Sequence, residues 1–246
     1  MDTDKLPIKF FAPREIDELR IEGNGNSEKP KWVLEGDALV KRAEILQASL
    51  SDIETIMIER KQSASPVPFS FIAKIQEDAT AKSKRKDITN FFQVKDSSVI
   101  GVADVNELIV CLDSVDELRQ ISGKLRAYEK NDYAISCIEG FAEFEPSVMA
   151  TDEVCNYKVK LVDYQDFEQN LAMRRMFEHT LERNKIEYKK TTYSEQFYVY
   201  NMKMVNTDML EQLKKEEIFN ALFSVEPMPK YTVSLDFVDD DQEVPV

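Results

Sequence analysis

The chain has 246 residues, enough for one large core or two small ones, and two domains is the expectation, since domains cluster near 100–150 residues. Its 46 acidic side chains against 32 basic ones leave a net charge of −14, which argues against nucleic acid as a partner, because phosphate contacts need clustered Lys and Arg. No apolar run is long enough to span a bilayer, and Met1-Asp2-Thr3-Asp4-Lys5 does not open like a signal peptide, so a cytoplasmic protein with no membrane partner is expected.

The first stretch has the makings of a short helix over residues 13–19, then Gly23-Asn24-Gly25-Asn26-Ser27, which reads as a loop. Over residues 37–60, Leu39, Leu46, Leu50, Ile53 and Met57 recur at helical spacing, and this amphipathic helix needs a domain to pack on. Alternation then takes over after Pro66, with Phe69, Phe71, Ala73 and Ile75 on one face of a strand. A helix is expected over 77–92. Residues 98–103 and 108–112 should pair as a hairpin around Asp104-Val105-Asn106-Glu107. Ser114-Val115-Asp116-Glu117 is a capping box in front of a helix bearing Leu118, Ile121, Leu125 and Tyr128. Residues 134–144 read as a strand stopped by Glu145-Pro146.

The same order returns in the second half. Tyr157, Val159 and Leu161 alternate with Lys158 and Lys160, and Asp163 is placed to cap a helix carrying Met173, Met176, Phe177 and Leu181. Strands over 186–190 and 196–204, a helix over 207–214 and a strand through Phe219, Ala221, Phe223 and Val225 follow, stopped by Glu226-Pro227. The expectation is an α+β protein of tandem ferredoxin-like (β-α-β-β-α-β) units with an N-terminal helical extension. Its divisions are 1–65 for the arm and helix, 66–150 for the first unit, 151–238 for the second, and 239–246 for an acidic tail. Tyr231, Val233, Leu235 and Phe237 form one more alternating stretch before that tail.

The chemistry available to such a chain is narrow. His179 is the single histidine, so a His-rich metal site is excluded, and a lone helical His is ordinarily a surface residue. No Gly-x-Ser-x-Gly elbow accompanies it for serine catalysis. Cys111, Cys137 and Cys155 stand singly in apolar stretches and read as small buried hydrophobes rather than zinc ligands or a disulfide framework. The Gly23–Gly25 stretch lacks the lysine of a phosphate loop. Lys82-Ser83-Lys84-Arg85-Lys86 reads as a solvated helix face, and Asp239-Asp240-Asp241 lacks the alternating ligands and glycine of a calcium loop. No metal or cofactor is expected, and an enzyme using carboxylates alone is a remote alternative, since no convergent pair can be read from the chain.

Four stretches carry a resemblance: Pro30-Lys31-Trp32-Val33-Leu34, Ala81-Lys82-Ser83-Lys84-Arg85, Ala134-Ile135-Ser136-Cys137-Ile138 and Val225-Glu226-Pro227-Met228-Pro229. Together they resemble the N-terminal, prodomain-like region of large bacterial intracellular subtilisin-like serine peptidases, often encoded beside an AAA-type ATPase, over residues 7–237. The resemblance implies β-α-β-β-α-β units, a partner in the form of a subtilisin-like catalytic domain in cis or in trans, and a C-terminal segment entering the protease cleft. The family's catalytic Asp, His and Ser motifs are not in this sequence, so a non-catalytic inhibitor and folding aid is expected. Tyr231, Val233, Leu235 and Phe237 are the protease-binding residues this implies; an edge strand of the second sheet is the other reading of that stretch. A free-standing sensor or adaptor that binds a partner such as the ATPase is the alternative function.

Overall fold

The computed structural model describes residues 32–77, 85–95, 98–192 and 198–229. The expected helix at 13–19, the Gly-rich loop, most of the basic run, the stretch from Tyr231 to Phe237 and the acidic tail lie outside them. The described residues form an α+β structure with two mostly antiparallel sheets and six α-helices.

Helix α1, Gly36–Gln62, buries Leu39, Ala43, Leu46, Leu50, Ile53 and Met57 along one stripe, the face its spacing predicts. It lies over strands β1 (Phe69–Ile75) and β4 (Ile138–Glu143), and polar groups fix it there. Arg42 Nη1 donates to the Ile138 carbonyl at 2.8 Å, and Ser49 Oγ donates to the Phe141 carbonyl at 3.1 Å. Helix α2, Arg85–Phe92, supplies Phe91 and Phe92 to the same core, where Phe71, Phe92 and Phe141 meet edge to face. Strands β2 (Val99–Asp104) and β3 (Glu107–Leu112) form the expected hairpin. Helix α3, Val115–Arg126, starts at Ser114, whose side chain accepts from the Glu117 amide; Glu117 Oε2 in turn accepts from the Asp113 amide at 2.9 Å.

The strand expected over 134–144 is a correction. Asp132–Cys137 is a short helix, α4, and only Ile138–Glu143 is strand β4. Ala134, Ile135, Ser136 and Cys137 are all buried, which a one-sided strand cannot achieve, and a short apolar run does not by itself separate strand from buried helix. Ser136 Oγ donates to the Asp132 carbonyl at 2.6 Å and accepts from the Leu34 amide at 2.9 Å, tying α4 to the approach to α1.

In the second half, β5 (Ser147–Val148), β6 (Cys155–Leu161), β7 (Tyr188–Thr192), β8 (Tyr198–Val205) and β9 (Leu222–Pro227) form a five-stranded sheet in the order β5-β9-β6-β8-β7. The first sheet has the order β2-β3-β1-β4. Helices α5 (Phe167–Arg183) and α6 (Thr207–Lys214) cover one face of the second sheet. Three further expectations are corrected. Asp166, not Asp163, caps α5, accepting from the Gln169 amide at 2.8 Å, while Asp163 Oδ1 braces the preceding loop through the Gln165 amide and Asn170 Nδ2. Phe219 and Ala221 belong to a 3-10 turn, Glu217–Ala221, and the closing strand starts at Leu222. Strand β7 begins two residues later than expected, because Lys185 adopts φ +56° and Ile186 turns into the core first.

The two sheets share buried surface. Phe69, Phe71, Ala73, Val110 and Leu112 face the helices of the first half, whereas Val67, Ile72, Ile100, Ile109 and Cys111 join a cluster with Phe144, Val162, Tyr164, Phe177 and Tyr200. This explains why β1 is buried on both faces, Ser70 and Ile72 included, when alternation suggested only one. Arg60, paired with Glu143 of β4 at 2.5 Å, reaches across to Asn220 at 3.2 Å, and Gln165 Nε2 donates to the Ile100 carbonyl at 2.8 Å. The segment after β4 is strapped down as well: β5 runs parallel to β9, and the Met149 amide donates to the Val225 carbonyl at 2.9 Å. All three cysteines are buried, and burial pushes the Cys111 thiol up to about 11.

Candidate docking surface

Register determines what the second sheet presents away from its helices. Tyr157 and Val159 of β6, Tyr200 and Met202 of β8, and Leu222 and Val225 of β9 point into the core with Met173, Phe177, Leu181, Leu210 and Leu213. Directly paired residues share a face, so the opposite face carries two rows. One runs Lys189, Asn201, Lys158, Glu226; the other runs Thr191, Val199, Lys160, Ser224, Ser147. Val199 and Ser224 are buried, Lys158, Lys160, Asn201 and Glu226 are half-buried, and Lys189 and Thr191 are exposed.

Charge on this face runs against that of the chain. Lys158, Lys160 and Lys189 outnumber Glu226, in a sequence with net charge −14. Lys160 Nζ lies 3.7 Å from Glu226, and no ion pair holds Lys158 or Lys189 among the described residues. The Ser224 hydroxyl, then the nearby Lys160 and Lys158, hold the Glu226 carboxyl below the usual carboxylate range. Such a surface can accept carboxylates or other acidic groups by screened Coulomb attraction and hydrogen bonding.

On the helix side, at the edge of the sheet, a second polar group is built for stability. Tyr200 Oη and Lys190 Nζ each donate to Glu178 Oε1 at 2.7 Å, and the Arg174 guanidinium lies 4.2 Å above the Tyr198 ring. Burial works to raise the Glu178 carboxyl, and the bonds from Lys190 and Tyr200 with the charges of Lys190 and Arg174 outweigh it, so it stays below its ordinary 4.5. A depressed carboxyl stabilises the fold above its unfolded value, and that contribution disappears as pH falls through the folded value. Glu178→Gln is therefore expected to cost about 1 kcal/mol near neutral pH, a figure kept small by partial exposure. Urea denaturation of both proteins against pH checks this: the gap should be steady above pH 4.5 and close below it.

His179 is exposed on α5 next to Glu178. Among the described residues no group of three or more His, Cys, Asp or Glu side chains could hold a metal ion, and no helix is long and apolar enough to cross a membrane. A cavity of about 270 Å³ at the hairpin end of the first sheet is lined chiefly by Ile75, Ile88, Val99, Val105 and Leu108, with the Gln165 amide as a polar member. Thr89 and Asn106 are its other polar members.

Tyr231, Val233, Leu235 and Phe237 lie outside the described residues. The chain leaves the second sheet toward them from β9: Pro227 pairs with Tyr157, and the Met228 amide donates to the Asn156 carbonyl at 2.7 Å. The lysine rows went unread in the sequence. Alternating Lys158 and Lys160 were the available signal, but aligning Lys189 and Glu226 with them needs the strand register.

The chain matches no model of a known protein family and no curated protein.

Proposed function

We propose that this chain is a non-catalytic, prodomain-like region that assists the folding of a subtilisin-like serine protease domain and holds it inactive, in the cytoplasm. In this reading each sheet with its helices is a ferredoxin-like unit. What supports it above all is the strand order: β2-β3-β1-β4 in the first sheet and β7-β8-β6-β9 in the second are the same arrangement, antiparallel throughout, with β5 added at the edge of the second. The second sheet also joins a face with no helix among the described residues to the strand from which residues 230–246 depart. A sheet face supplies docking area, and an extended segment beginning beside it can make substrate-like main-chain bonds in a cleft. The refolding of a denatured subtilisin-like catalytic domain tests the folding role. Its yield of activity, assayed after the added chain has been digested away, should rise with an equimolar amount of chain, and an unchanged yield would count against that role.

A second reading, a sensor or adaptor binding a partner such as an associated ATPase, is favoured by the makeup of the same face. Among the described residues its two rows hold none of the large aromatic anchors that dominate the centres of tight interfaces. Inhibition separates the two, since an adaptor leaves proteolysis untouched.

A further inference from the structure

We propose that, when no protease is bound, the acidic segment Asp239-Asp240-Asp241-Gln242-Glu243 of this chain occupies the lysine face of its own second sheet, over Lys158, Lys160 and Lys189. The inference rests on the docking role proposed for that sheet and adds a regulator to it. Three observations carry it.

The first is charge complementarity. In a chain of net charge −14, the two rows concentrate three lysines against one glutamate, and Lys158 and Lys189 have no ion-pair partner among the described residues. The segment offers Asp239, Asp240, Asp241 and Glu243 within five positions. The second is origin. The segment is connected to β9, which lies next to β6, the strand bearing Lys158 and Lys160. The third is reach. Ten residues lie between Met228 and Asp239, about 35 Å when extended, whereas five strands at about 4.8 Å spacing span only about 19 Å. Every lysine of the face is within range, and the tether sets a local concentration on the order of millimolar.

Each exposed ion pair is worth little alone and is screened by salt. The docked state is therefore weak and reversible, suited to giving way when a catalytic domain draws residues 231–237 into its cleft. An acidic partner protein on the same lysines is the competing occupant.

The test uses the full chain. Because Cys111, Cys137 and Cys155 are buried, Gln242→Cys gives a single reachable thiol for a nitroxide label. The amide resonances of Lys158, Lys160 and Lys189 are then compared with those of exposed α5 positions such as Arg175. At about 20 mM salt the label should cut the sheet resonances to less than about half, with recovery at about 500 mM, where the Debye length falls to about 4 Å. The effect should vanish in K158E/K160E/K189E, and also in D239N/D240N/D241N/E243Q, which leaves the sheet untouched should the first variant misfold. Equal broadening on α5, persistence in the neutralised segment, or loss on dilution with unlabelled chain would each overturn the proposal. No protease enters the experiment, so its failure leaves the inhibitor reading standing, and the reverse also holds.

Discussion

Replacing Phe177 by Ala is expected to shift the unfolding of the first half of the chain as well as the second, by about 3–5 kcal/mol, the usual cost of emptying a buried phenylalanine site. Phe177 is fully buried on α5 and stands edge to face with Tyr200 at 5.0 Å. Its cluster continues through Val162 and Tyr164 to Ile72, Ile109 and Cys111 of the first sheet. The single tryptophan, Trp32, reports from the far side of that sheet, edge-on to Tyr133 at 6.1 Å. Urea unfolding followed by Trp32 fluorescence and by far-ultraviolet circular dichroism should give coincident transitions, both displaced to lower urea. Against a typical total of about 5–15 kcal/mol, the displacement will be large. A Trp32 midpoint that stays in place while a separate early transition appears would mean that the halves unfold independently.

Truncation after Pro229 is expected to weaken inhibition of a subtilisin-like catalytic domain by about tenfold or more, equivalent to about 1.4 kcal/mol, while weakening binding by less. The sheet face remains in the shortened chain, so docking area survives. What is lost is the stretch with Tyr231, Val233, Leu235 and Phe237, whose alternating side chains would fill cleft pockets in the proposed complex. Inhibition constants from peptide hydrolysis and affinities from calorimetry give the two numbers. Circular dichroism of the truncated chain guards against a trivial cause, since the same stretch could complete the second sheet and its removal would then unfold that unit. Equal losses of binding and inhibition in a folded truncation would contradict the cleft-filling role.

The α+β class and the order of most elements were legible because periodicity reports burial on one side. Leu39, Leu46, Leu50, Ile53 and Met57 mark a helix that packs on one stripe, and Tyr157 with Val159 marks a strand with one face in the core. Legibility failed where burial is not one-sided. Ala134 to Cys137 are buried on all sides, so period two and period 3.6 fit equally, and tertiary bonds from Leu34 and Asp132 settle the helix. Asp163 and Asp166 are both able to cap, and the choice depends on where Asn170 binds the loop. Strand β5 is two residues long, too short for any pattern, and exists because β9 offers it an edge. The lysine face is a matter of register among four segments far apart in sequence, which local pattern does not encode.

The most direct test of the account is the activity of a subtilisin-like catalytic domain, encoded with this chain or beside it, in the presence of the full-length chain. Cleavage of a chromogenic peptide should fall with increasing chain, to about one per cent of its initial rate once free chain exceeds the dissociation constant by about a hundredfold. Cleavage that continues at its initial rate with the chain at saturating concentration would contradict the inhibitor reading and leave the adaptor reading in its place.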